Sequence, residues 1–158
     1  EEVKLRIDRY PAPYHAALTA LLDAAHQRFG GVYHINCHSM RAVAGKQSDD
    51  GEGRPRADFV LGDRDGTTCE PGFTALVRER LTEMGYAVKV NDPYKGVELV
   101  RAYSDPKTRR NSLQIEINKR LYMDETTLAK TAGFARLQNN LARLVETLAA
   151  YAGERIRG

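Results

Sequence analysis

The period of hydrophobic and polar positions changes several times along the chain, and each change predicts an element. In "YHAALTALLDAAHQRFGG", Leu18, Leu21, Leu22 and Ala25 recur at helical spacing, and Gly30 with Gly31 supplies a stop. The stretch before it, "EEVKLRIDRY", alternates loosely between apolar and charged residues. Pro11 and Pro13 interrupt any continuous helix there, so the pattern predicts one helix with a broken lead-in. "VYHIN" is short, β-branched and aromatic-rich, which predicts a buried strand with His38 at its C-terminal end. "DFVL" predicts a very short strand, and Phe73, Leu76, Val77, Leu81 and Met84 predict a helix that Gly85 ends. "YAVKVNDPYKG" reads as strand followed by loop. "SLQIEIN" alternates strictly, with Leu113, Ile115 and Ile117 on one face and Ser112, Gln114, Glu116 and Asn118 on the other. A final helix is expected over residues 124–151, capped by Asp124 with Thr127 nearby and striped by Phe134, Leu137, Leu141, Leu144 and Leu148.

Helices alternating with strands predict an α/β layer structure, with helices on both faces of the sheet. The 158 residues suit one domain, 1–158. Residues 44–57 hold three Gly, one Pro and six charges but no large apolar side chain, the composition of a mobile surface loop, whether a lid or a disordered tip.

Composition narrows the function classes. A net charge of +3 favours a small anionic substrate by weak steering, but the basic residues are interleaved with acids, which argues against a nucleic-acid partner. No apolar run reaches the roughly 18 residues that a membrane helix needs. Two cysteines, Cys37 and Cys69, give no disulfide framework, so the cytoplasm is the expected compartment.

Two residues stand out as carriers of chemistry. His38 sits where α/β proteins collect ligands, outside the carboxyl end of a strand, although a histidine merely hydrogen-bonded at a strand end fits the spacing equally well. It should not share a metal with His34, because four residues of strand separate their Cα atoms by roughly 13 Å. Cys37 should point away from His38 and is expected to pack in the core. Glu116 lies mid-strand opposite a wholly aliphatic face, so it faces either solvent at a sheet edge or a polar cleft. In a cleft, a glutamate can take a proton from an attacking water and pass it to a leaving amine. Arg64, Lys95, Arg109, Arg110 and Arg120 fall near loops or strand ends, where a cation could hold a substrate carboxylate. The chain offers no HExxH and no CxxC, so no complete metal site is visible.

The motifs "RYPAPYHAAL", "INCHSM", "DFVLGDRDGTTCEP", "VNDPYKGVELVRAYSDP" and "SLQIEINKRLYMDE", in that order, resemble the N-formylglutamate amidohydrolase family, which is related to the zinc carboxypeptidases and aspartoacylases. The resemblance implies a mixed central sheet flanked by helices, of the phosphorylase/hydrolase-like kind. It implies a zinc hydrolase that releases formate and glutamate from N-formylglutamate in histidine breakdown. It implies further that His38 is a zinc ligand and Glu116 the general base, and that Arg64, Tyr94, Lys95 and Arg120 are candidates to grip a substrate carboxylate. In the related carboxypeptidases a first histidine and an acidic ligand come from an earlier segment. The resemblance therefore suggests that the chain is the C-terminal part of a longer enzyme, with further zinc ligands upstream, and that it is inactive alone. A deacylase for another N-acyl amino acid, or a non-catalytic binding or structural module, would use the same fold.

Overall fold

Two helices open the chain, α1 over Glu2–Arg9 and α2 over Pro11–Phe29. The expected break falls at Tyr10, and Pro11 starts α2 at a position whose missing N–H costs no hydrogen bond. Gly30, at φ 75°, ends α2 in the left-handed region. The strand β1 spans Val32–Met40, followed by β2, Phe59–Gly62, and the helix α3, Pro71–Glu83. The strand β3 covers Val88–Val90, the short helix α4 Glu98–Ala102, β4 Arg110–Asn118 and the long helix α5 Gly133–Arg157. The computed structural model describes the backbone of residues 1–157 and the side chains of residues 1–155.

The strands form one mixed sheet in the order β1-β4-β2-β3. β1 runs parallel to β4, β2 runs antiparallel to β4, and β3 runs parallel to β2. β4 is thus interior, and its strict alternation separates two chemically opposite faces. Leu113 and Ile115 meet Leu61 and Phe59 of β2 on one face, where Phe73, Val77 and Leu81 of α3 and Leu137, Leu144 and Leu148 of α5 complete the core. Each such side chain contributes about 1.5–3 kcal/mol when fully buried. Polar groups tie the start of β1 and the N-cap of α3 to the C-terminal part of α5: Tyr33 and Tyr151 both donate to Glu70 Oε1, at 2.9 and 2.7 Å.

The mixed sheet flanked by helices matches the expected class, with four local differences. The second face carries α4 and the loops 41–57 and 91–97 instead of a full helical layer. The long helix begins at Gly133, not near Asp124. Asp124 Oδ1 accepts the amides of Thr126 and Thr127, closing a local turn, and Thr131 N then bonds back to Tyr122 O. Gly133 lies so close to the Leu121 carbonyl that no Cβ fits between them, which sets the helix start. The loop at 44–57 is folded: Val43 bridges Pro55, Ala44 N bonds Arg54 O and Gly53 N bonds Ala44 O within it, and Asn118 Nδ2 of β4 donates to the Ala57 carbonyl at 2.9 Å, tying it to the sheet. Cys37 is exposed, because β1 is the outermost strand and the core cluster under α3 and α5 is centred on β4 and β2; burial claims Cys69 instead.

Candidate active site

The polar face of β4 is buried as thoroughly as its apolar face: Ser112, Gln114, Glu116 and Asn118 are all at most 6% exposed. Buried polar groups need partners. The parallel register supplies them from β1, setting His34 opposite Ser112, Asn36 opposite Gln114 and His38 opposite Glu116. His34 Nδ1 lies 2.8 Å from Ser112 Oγ, and burial pushes the His34 pKa down, which favours a neutral ring. Further along, Asn36 Nδ2 lies 3.1 Å from His38 Nε2, and Gln114 Nε2 donates to Glu116 Oε1 at 2.9 Å.

The other ring nitrogen of His38, Nδ1, stands 3.5 Å from Glu116 Oε1. The imidazole and carboxylate expected from spacing are therefore brought together, on one face of adjacent strands. The solvated-edge alternative for Glu116 does not apply, since β4 lies between β1 and β2. Burial pushes the Glu116 carboxyl up from its ordinary value, while His38, Arg56 and the Gln114 amide pull it back. His38 keeps about a third of its side chain open, so the pair is reachable from outside.

Two loops wall the pair. The loop 91–97 docks on the sheet through Val97 N, which donates to Gln114 Oε1 at 2.9 Å. It passes so close to Gly62 of β2 that a Cβ there would stand 2.6 Å from Gly96 N. Arg64 reinforces the contact, its N donating to Lys95 O at 2.7 Å and its Nη1 to Gly96 O at 3.0 Å. The loop 41–57 contributes Arg56, whose guanidinium carbon lies 5.1 Å from the Tyr94 ring centroid. Tyr94 falls within electrostatic reach of Arg56, Asp50 and Glu116.

The candidate carboxylate-binding residues thus separate. Tyr94 packs on Arg56 and lies within electrostatic reach of Glu116. Arg64 and Lys95 adjoin the same loop, but Arg64 is engaged with Gly96 O and Lys95 with Asp65 at 2.8 Å. Arg120 sits past the end of β4, paired with Asp58 at 2.7 Å. Arg109 and Arg110 lie at the opposite end of β4, where Arg110 pairs with Asp23 at 2.8 Å. Sequence reasoning missed Arg56 and Asn36. Asn36 could have been found, because it shares the face of His38 two residues earlier; Arg56 carries no local signal beyond its charge.

On the opposite face of β1, Cys37 and Ser39 line an apolar cleft of about 410 Å³ with Ile117, Tyr122, Phe134 and Leu141. Among the described residues no three His, Cys, Asp or Glu side chains are grouped to hold a metal ion. His38 and Glu116 are one imidazole and one carboxylate, fewer donors than the three protein ligands of a catalytic zinc site. No described helix is long and apolar enough to cross a membrane.

A mixed α/β sheet with an imidazole and a shielded carboxylate side by side near the end of two parallel strands defines an α/β protein whose reactive groups gather at one rim of the sheet. Residues 1–123 match the model of the N-formylglutamate amidohydrolase family, and the chain belongs to that family. It is 30% identical over 127 residues to the N-formylglutamate deformylase of Pseudomonas putida, covering 80% of this chain and 46% of that protein. The crystal structure of N-formylglutamate amidohydrolase from Ralstonia eutropha JMP134 superposes with a TM-score of 0.86 at 52% identity, covering 99% of this chain and 56% of that one. A gene product of Agrobacterium tumefaciens shares the fold at 18% identity, with a TM-score of 0.65 over 98% of this chain and 54% of its own. The chain spans about half the length of these relatives.

Proposed function

We propose that the protein hydrolyses N-formyl-L-glutamate, or a closely related N-acyl amino acid, to formate and the free amino acid, with zinc as its metal. The reading places it in histidine breakdown in the cytoplasm. The observation that carries it is the 3.5 Å approach of His38 Nδ1 to Glu116 Oε1 in a chain of this family.

His38 would serve as one zinc ligand. Bound there, zinc would polarise the formyl carbonyl and supply an acidified water. Glu116 takes a proton from the attacking water and delivers it to the departing amine, a cycle that suits a carboxyl whose burial raises its proton affinity. Gln114 holds Glu116 Oε1 in place and, through its own oxygen, ties that position to the loop 91–97. Tyr94, Arg64 and Lys95 lie along this loop, on the side from which a substrate carboxylate would be gripped, and Arg120 is the more distant candidate.

Formate release from N-formylglutamate by the zinc-supplied protein tests the proposal. Glu116→Gln keeps the acceptor for Gln114 and should lower kcat by about 10²–10⁴-fold with KM little altered. Unchanged turnover in that variant would remove Glu116 from the role. His38→Ala should abolish zinc retention after dialysis. The absence of a described three-ligand group favours a second reading, a non-catalytic module. A folded, metal-free protein that releases no formate would support that module instead.

A further inference from the structure

The fold spends a buried ion pair on the wall beside Glu116, and the chemistry above leaves that pair unused. Arg56 is 7% exposed, and its side chain and that of Asp50 are 5% and 3% exposed. Arg56 Nε donates to Asp50 Oδ2 at 3.0 Å and Nη2 to Asp50 Oδ1 at 2.8 Å, a two-pronged pairing, and Nη2 also reaches Ser48 Oγ at 3.1 Å. Such a fork fixes the guanidinium plane as well as its position. The backbone is equally fixed: Arg56 N donates to Ala42 O at 3.0 Å, just past β1, and Asn118 Nδ2 at the end of β4 donates to the carbonyls of Arg56 and Ala57 at 3.3 and 2.9 Å.

A surface loop of polar composition gains little stability from burying two charges, since their desolvation offsets most of their attraction. What the arrangement does supply is an immobile planar cation under one aromatic ring. That ring is Tyr94, 5.1 Å from the guanidinium carbon, on the loop that Gln114 anchors two positions from Glu116. The two walls of the site, 41–57 and 91–97, are thereby joined by a buried cation against a ring, and a second time by the exposed pair Arg54–Asp92 at 3.2 Å.

We propose that Arg56, locked by Asp50, is a positioning residue that holds the Tyr94 ring at the mouth of the His38–Glu116 site, so that Tyr94 meets the substrate in one fixed orientation. The substrate part of this inference rests on the hydrolase reading above. Its structural part does not. Lysine at position 56 keeps the charge but loses both the fork and the planar face, and asparagine at position 50 keeps the shape but loses one charge.

The test labels the protein with 3-fluorotyrosine and identifies the Tyr94 resonance by its loss in Tyr94→Leu. In Arg56→Lys and in Asp50→Asn that fluorine signal should shift or broaden while the other tyrosine signals hold. A Tyr94 signal unmoved in a folded variant overturns the proposal, and Asp50→Asn decides the matter if Arg56→Lys does not fold. Kinetics supply the second arm. Arg56→Lys should raise KM about tenfold, equivalent to one lost oriented contact, with kcat little altered, and should add nothing further in a Tyr94→Leu background. Additive effects would overturn the positioning role. If the wild-type protein releases no formate, the hydrolase reading fails and the fluorine signal alone judges the clamp.

Discussion

Glu116 illustrates how much a single side chain depends on its setting. Burial raises its proton affinity in the folded state above that of the unfolded chain, so the folded state is relatively favoured while the group is protonated and loses that advantage as pH rises through the folded value. In metal-free protein, Glu116→Gln should therefore melt higher than wild type near neutral pH. The difference should shrink to nothing once pH falls below the ordinary carboxylate range. Melting curves taken across that interval check the sign, and a gap that widens toward acid would contradict it. At this scale the sequence was informative where alternation operates. Glu116, Gln114 and His38 could all be put on their faces from a period of two. Arg56 and Asp50 could not, because a pair formed across six residues of irregular loop leaves no periodic trace. Cys37 misled for a related reason: alternation gives the face a side chain occupies, not whether that part of the face is covered.

Among the elements, the short β2 shows how a glycine sets the height of a loop. Gly62 lies opposite Gln114 in the antiparallel register, on the polar face, and its missing side chain admits the backbone of residues 95 and 96. Gly62→Ala must push that backbone away, since its Cβ would stand 2.6 Å from Gly96 N and 2.7 Å from Lys95 C. Overpacking of this kind costs about 1–3 kcal/mol. The variant should lose stability by that amount in denaturant titration and should raise KM by detaching Val97 N from Gln114; wild-type values of both would show that the loop tolerates lifting. The helices α2 and α3 were legible because their stripes and glycine stops agree. The start of α5 was not, since Asp124 carries the signature of a helix cap but uses it on a local turn that ends where Gly133 slips past the Leu121 carbonyl. Composition alone assigned mobility to 44–57, whereas the buried Arg56 anchors it.

Across the whole molecule, the apolar core and the candidate site occupy opposite faces of one sheet. The apolar face carries α3 and α5 and most of the large buried apolar side chains, while α1 buries none of its residues. Amide exchange should follow that division. Amides of β4 and β2 should exchange only by global unfolding and those of α1 by local fraying, orders of magnitude faster. Protection of α1 equal to that of β4 would mean the sheet is not the cooperative unit. The division also bears on the pairing of β1 with β4. A slip of β1 by one residue in one direction between these parallel neighbours would turn the imidazole toward α5 and leave the Cys37 thiol opposite the Glu116 carboxylate. A misthreaded molecule would then betray itself chemically, as a protein with a thiol beside its buried carboxylate.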